Sequence, residues 1–214
     1  MNALPLDRHF ALRKLHSLTG IIPIGVFLCF HLFENSLATK GSEYYTEHVV
    51  HKIGNIPYVE LLEIFFIAVP ILFHGIYGLI IWLQGRSNVL TYGYFRNWMY
   101  WVQRYTGIIA LIFIFTHVWG TRIQVLINEA VTKDNLFHHL ATQLENPLYL
   151  TWYIIGNLAA VIHLANGISL ALITWGITIG RRSQTISTWV CAFIGLILLL
   201  LSAQALRGLL ATGV

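Results

Sequence analysis

Four histidines are set apart by where they fall. His31, His74, His117 and His163 each sit deep inside a separate apolar run, spaced 43, 43 and 46 residues apart. The other six, His9, His16, His48, His51, His138 and His139, fall in termini and loops, where a solvated imidazole needs no special role. An ionisable side chain within hydrocarbon is costly, and its default reading is a functional site. One such histidine alone could equally be hydrogen-bonded to a neighbouring helix. Four at comparable positions argue for a common chemistry.

Paired imidazoles with no carboxylate or thiolate beside them narrow that chemistry. A zinc site takes three or four ligands. Haem iron needs two axial ligands, and two histidines close both positions, which suits electron transfer over oxygen chemistry. The competing use of the same residues is a proton relay in a haem-free transporter. The two cysteines, Cys29 and Cys191, each lie in an apolar run, and the chain has no C-x-x-C or C-x-x-C-H motif. Neither a disulfide framework nor covalent haem attachment is indicated.

The elements that must position these residues are long. The chain has 214 residues, 57% of them hydrophobic and only 10% charged, with a mean hydropathy of +0.67. Those values exclude an ordinary soluble domain. The net charge of +4 takes its meaning from the loops that carry it, and nucleic acid is not an expected partner. Spanning a hydrocarbon core of ~30 Å takes about 20 apolar residues. Five segments qualify: 18–37, 61–84, 104–127, 147–176 and 188–210. Lipid offers no hydrogen bonds to a free backbone, and these runs are continuous rather than alternating, so each is predicted to be an α-helix. The expected fold is all-α and integral to the membrane. Five transmembrane helices form a single domain over 1–214, and the first four make a haem-binding four-helix bundle. The polar N-terminal segment precedes a run about as long as a span, with no small-residue cleavage site after it, and reads as retained.

Threading then decides which histidines meet. At ~1.5 Å rise per residue, His31 and His117 lie ~20 Å from the face at which the first and third helices start. His74 and His163 lie a similar distance into helices that run the other way. Two pairs at different depths follow, His31 with His117 and His74 with His163. Arg8, Arg13, Lys14, Arg86, Arg96, Arg104, Arg181 and Arg182 flank the side that holds the N-terminus, against Lys40, Lys52, Arg122, Lys133 and Arg207 on the other. The positive-inside rule makes the N-terminus cytoplasmic, so His74 and His163 form the inner pair and His31 and His117 the outer one. Asp7 alone among the acids falls inside. The two outer loops can hold short amphipathic segments, 42–53 and 134–143. The aromatics Trp98, Tyr100 and Trp101 suit an interfacial belt.

Further residues are candidates for the haem surroundings. Gly75 and Gly78 stand near His74, Gly120 near His117 and Gly167 near His163. A glycine lets a flat macrocycle lie against backbone, and it equally serves close helix packing. Ser17 is about 40° around the helix from His31, with His16 beside it, and Gln103 is placed likewise relative to His117. Both suit the inner haem edge, where propionates need polar partners. They also read as a helix-start serine and ordinary interfacial residues. Arg122 would serve the outer haem or snorkel.

Several motifs together carry a resemblance. They are Arg13-Lys14-Leu15-His16-Ser17-Leu18-Thr19-Gly20, Leu72-Phe73-His74-Gly75-Ile76-Tyr77-Gly78, Phe95-Arg96-Asn97-Trp98-Met99, His117-Val118-Trp119 and His163-Leu164-Ala165-Asn166-Gly167. Over nearly its whole length the chain closely resembles the dihaem cytochrome b membrane anchor of succinate dehydrogenases and fumarate reductases, the complex II type with one five-helix anchor. The resemblance implies haem b ligation by His31 and His117 and by His74 and His163, and adds Gly20 to the pocket candidates. It implies a flavoprotein with FAD and an iron–sulfur subunit docked on the cytoplasmic face of a bacterial cytoplasmic membrane. It also implies electrons passing through the inner and then the outer haem to a quinone, typically menaquinone, near the outer haem. Succinate chemistry would belong to the partners. Some fumarate-reducing relatives carry a glutamate two residues before the fourth ligand; Val161 stands there, which favours succinate oxidation. A dihaem anchor of a hydrogenase or formate dehydrogenase is the nearest alternative, and the motifs argue against it.

Overall fold

A computed structural model describes residues 8–211; Asp7 lies outside them. All regular structure among the described residues is helical. Five helices are long and apolar enough to cross a membrane: α1 (His9–Lys40), α2 (Val59–Gln84), α3 (Phe95–Ile127), α4 (Pro147–Thr174) and α5 (Arg181–Ala211). Each of the five apolar runs falls on one of them. Helices α1, α3 and α5 begin well before their apolar runs, because their first turns carry charged and aromatic side chains that hydropathy does not register. Arg104 stands where the third apolar run begins. Its guanidinium donates to the Tyr100 hydroxyl at 2.8 Å and to the Trp82 and Gly85 carbonyls at the end of α2.

Local chemistry explains the interruptions and starts. Pro23 lacks an N–H and its ring crowds the preceding turn, so α1 divides into Arg8–Ile21 and Ile24–Ser36. Helices α2 and α3 each contain one π-turn, Ile64–Ala68 and Trp119–Ile123. Asn146 caps α4, its side-chain oxygen accepting from the Leu148 and Tyr149 amides ahead of Pro147.

Helices α1 to α4 pack as a bundle, and α5 lies against α1 and α4. Small residues set the close approaches, as membrane packing requires. The Phe113 ring of α3 lies across Gly156 of α4, Gly195 of α5 meets Ala165, and Gly208 of α5 meets the backbone at Ala38 and Thr39. Large apolar side chains such as Phe30, Leu72, Phe115 and Phe193 point outward, as they would toward lipid. The end of the bundle where the described chain begins is called here the near end. The far end is closed by loop helices. Short turns over Ser42–Tyr45, Thr46–His51 and Lys52–Gly54 follow α1, and a helix Leu136–Leu144 precedes α4. Phe137 and Leu144 are buried among Ala38, Phe113, Tyr153 and Leu209. Cys29 and Cys191 are free thiols.

Candidate functional site

The bundle brings His74 of α2 to His163 of α4, ring centroids 6.1 Å apart and nearly perpendicular at 83°. Nearer the far end it brings His31 of α1 to His117 of α3, at 5.7 Å and 79°. Three of the four rings have their Nδ1 engaged. His74 Nδ1 is 2.9 Å from the His16 carbonyl, His163 Nδ1 is 3.0 Å from the Gln103 carbonyl, and His117 Nδ1 is 3.0 Å from the Tyr153 hydroxyl. A carbonyl can only accept, so in His74 and His163 the proton sits on Nδ1 and Nε2 keeps its lone pair for a metal. The His31 ring packs on Phe27 at 5.2 Å.

The near-end pair is built twice by one device. Gly20 on α1 leaves the space that the His74 ring fills, since a Cβ there would lie 2.4 Å from its Cε1. Gly107 on α3 does the same for His163, at 2.8 Å. Thr19 Oγ1 donates back to the carbonyls of Leu15 and His16, and Thr106 Oγ1 to those of Val102 and Gln103. Gly78 faces His16 Nε2, and Gly167 faces Gln103 Nε2, each 3.1 Å from its own missing Cβ. The segments around α1–α2 and α3–α4 are thus structural counterparts, with His16 and Gln103 in equivalent places. Gly107 and Tyr153 were not singled out from sequence. A signal was present in the paired Thr-Gly steps at 19–20 and 106–107, and in the H-x-x-x-G spacing at 74–78 and 163–167.

The remaining candidates take varied places. His16 stacks on His74 at 4.0 Å and 8°. Gln103 Nε2 donates to the His163 carbonyl at 3.1 Å, and its Oε1 accepts from Asn166 at 2.8 Å. The Ser17 hydroxyl accepts from Trp175 Nε1 at 3.3 Å. Gly75 holds Leu111, and Gly120 lies under Tyr149 and Gln143. Arg122 is ion-paired with Glu63 at 2.7 Å, with Glu60 at 3.9 Å. At the far end the Tyr45 hydroxyl donates to Asn35 Oδ1 at 2.8 Å, and burial together with Glu34 pushes its phenol up to about 12.

Each level offers two imidazoles, and no group of three or more His, Cys, Asp or Glu set to hold a metal ion occurs among the described residues. The pairs fit bis-histidine haem. Two metal–nitrogen bonds of about 2 Å, plus about 1 Å from each nitrogen to its ring centre, give a centroid separation of about 6 Å, as both pairs have.

Fold and site together define a polytopic membrane protein organised around two half-buried histidine pairs. Residues 86–203 match the family described as succinate dehydrogenase/fumarate reductase transmembrane subunit. The chain is also 42% identical over 188 residues to the succinate dehydrogenase cytochrome b558 subunit of Bacillus subtilis (strain 168), covering 88% of this chain and 91% of that protein. The chain belongs to the succinate dehydrogenase/fumarate reductase transmembrane subunit family.

Proposed function

We propose that this chain is the cytochrome b membrane anchor of a succinate:menaquinone oxidoreductase, holding two haems b, one between His74 and His163 and one between His31 and His117. The carrying observation is the ring geometry: two pairs near 6 Å, with Nδ1 bonded to carbonyls at His74 and His163, which leaves on Nε2 the lone pair that a haem iron would take. When bound, the haems supply two one-electron stations between an iron–sulfur subunit and quinone. The chain's own residues fix the imidazole tautomers, keep water from the ligands, and set the two levels apart along the membrane normal.

The near end is read as cytoplasmic in a bacterial inner membrane, with the basic and aromatic start of α3, Arg96, Trp98, Trp101 and Arg104, as the docking face for the iron–sulfur subunit and its FAD-bearing partner. Oxidation of succinate is the favoured direction. Val161, 1% exposed, packs in an apolar cluster with Leu32, Leu164 and Leu198, and α4 carries no acid. Electrons entering at the near end and leaving at a far-end quinone move with a potential that is negative inside, which drives them by about 2.3 kcal/mol per charge per 100 mV and is consumed by their passage. Sealed vesicles carrying the complex test this. An uncoupler should slow succinate-to-menaquinone turnover under an imposed potential, negative inside; unchanged turnover would refute the far-end site. A purified chain without haem would instead support a histidine relay.

A further inference from the structure

The carbonyls that orient the two near-end histidines carry more than those histidines. His74 Nδ1 lies 2.9 Å from the His16 carbonyl, and His163 Nδ1 lies 3.0 Å from the Gln103 carbonyl. Each of these oxygens also accepts from a threonine hydroxyl, Thr19 Oγ1 at 3.1 Å and Thr106 Oγ1 at 3.3 Å. The helix directs a further donor to the same place, because the carbonyl of residue i accepts the amide of residue i+4. Here that amide belongs to Gly20 in α1 and to Gly107 in α3. A carbonyl oxygen has two lone pairs, and at both ligands they are divided among the amide, the hydroxyl and the imidazole.

A threonine that bonds back to its own helix is common and by itself signals nothing. Thr19 and Thr106 differ because the carbonyl each reaches three residues back is the one that faces a ligand. The arrangement occurs on both sides of the pair, on different helices, where the residues that supply the carbonyls are a histidine and a glutamine. The Thr106 hydroxyl also stands beside the ligand, with Oγ1 3.5 Å from His163 Nδ1. At the far end the support is of another kind, since His117 Nδ1 meets the Tyr153 hydroxyl at 3.0 Å.

Sharing of the acceptor has an electronic consequence. A strong acceptor draws the Nδ1 proton outward, leaves the imidazole ring richer in electrons and makes Nε2 a more basic ligand, which favours oxidised over reduced iron. Each additional donor on the carbonyl takes up part of its electron density and weakens that pull. We propose that Thr19 and Thr106 are positioning residues that hold the carbonyl bonds of His74 and His163 below full strength, and so keep the potential of a haem on this pair above the value the same ligands would give alone. The inference rests on the anchor reading above. Its effect is to make the near-end station the better acceptor for electrons arriving from the iron–sulfur side.

The test uses the detergent-solubilised, haem-loaded complex in a redox titration, with each haem followed by its own low-spin electron paramagnetic resonance signal. Thr19→Val and Thr106→Val keep the side-chain shape and remove the hydroxyl. Each carbonyl retains its other donors, so haem content should hold. Each variant should shift the midpoint potential of the His74–His163 haem downward, and the double variant further than either, with the His31–His117 haem unmoved. Thr19→Ser and Thr106→Ser return the hydroxyl and should restore the original potential. An upward shift, an unchanged potential with haem retained, an equal shift of both haems, or serine variants that behave as the valine ones would each overturn the inference and leave the anchor reading standing. Should the valine variants lose haem, infrared difference spectra of the unaltered complex with 13C-labelled threonine decide. A threonine C–O band should move as the near-end haem changes oxidation state, and its absence would overturn the proposal. A purified complex with no haem in this chain would overturn both readings.

Discussion

Gly20→Ala is a small change with a computable consequence. The new Cβ would lie 2.4 Å from Cε1 and 2.9 Å from Nδ1 of His74. Ordinary carbon contacts begin at 3.4 Å, so the ring must retreat by about 1 Å, and overpacking of this kind costs about 1–3 kcal/mol. The retreat is obstructed on the other face, where His16 stacks at 4.0 Å. A 1 Å shift would also break the 2.9 Å bond to the His16 carbonyl, and it is half of a metal–nitrogen bond of about 2 Å. Gly20→Ala should therefore lose or distort the haem of the His74–His163 pair and leave that of His31 and His117 in place. Gly107→Ala, with a gap of 2.8 Å to His163, should do the same more weakly. The assay is haem per polypeptide by extraction, with low-temperature electron paramagnetic resonance resolving the two low-spin signals. Two unaltered signals in Gly20→Ala would refute the notch and the ligand role of His74 with it.

Other outcomes are expected. Acid–acetone extraction of the unaltered complex should yield two haems per chain; replacing His74 or His163 should remove one signal, and replacing His31 or His117 the other. Loss grouped by neighbouring helices would contradict the pairing. Gly208→Ala places a Cβ 2.4 Å from backbone of Ala38 and Thr39, so α5 should loosen from α1 and the complex should melt lower by the equivalent of about 1–3 kcal/mol, with haem stoichiometry kept. Cross-linking from Trp98 or Arg96 positions should capture the iron–sulfur subunit, whereas capture from the Leu136–Leu144 helix would reverse the proposed orientation.

Some of this was fixed before any tertiary contact was known. Crossing a membrane depends on the composition of about 20 consecutive residues, and the depth of a residue follows from its place in a helix of fixed rise. Five spans and two levels of histidine were therefore legible. Rotation about the helix axis was legible only where the helix is unbroken. From Gln103 to His117 it is, and Gln103 does lie against His163. Between Ser17 and His31 the Pro23 break shifts the phase, so that His16 takes the place equivalent to Gln103 and Ser17 meets Trp175. Gly107 under His163, Tyr153 on His117, and the capture of Arg122 by Glu63 join residues on different helices. Periodicity within one helix carries no information about what another presents to it, so these contacts were decided only when the helices packed.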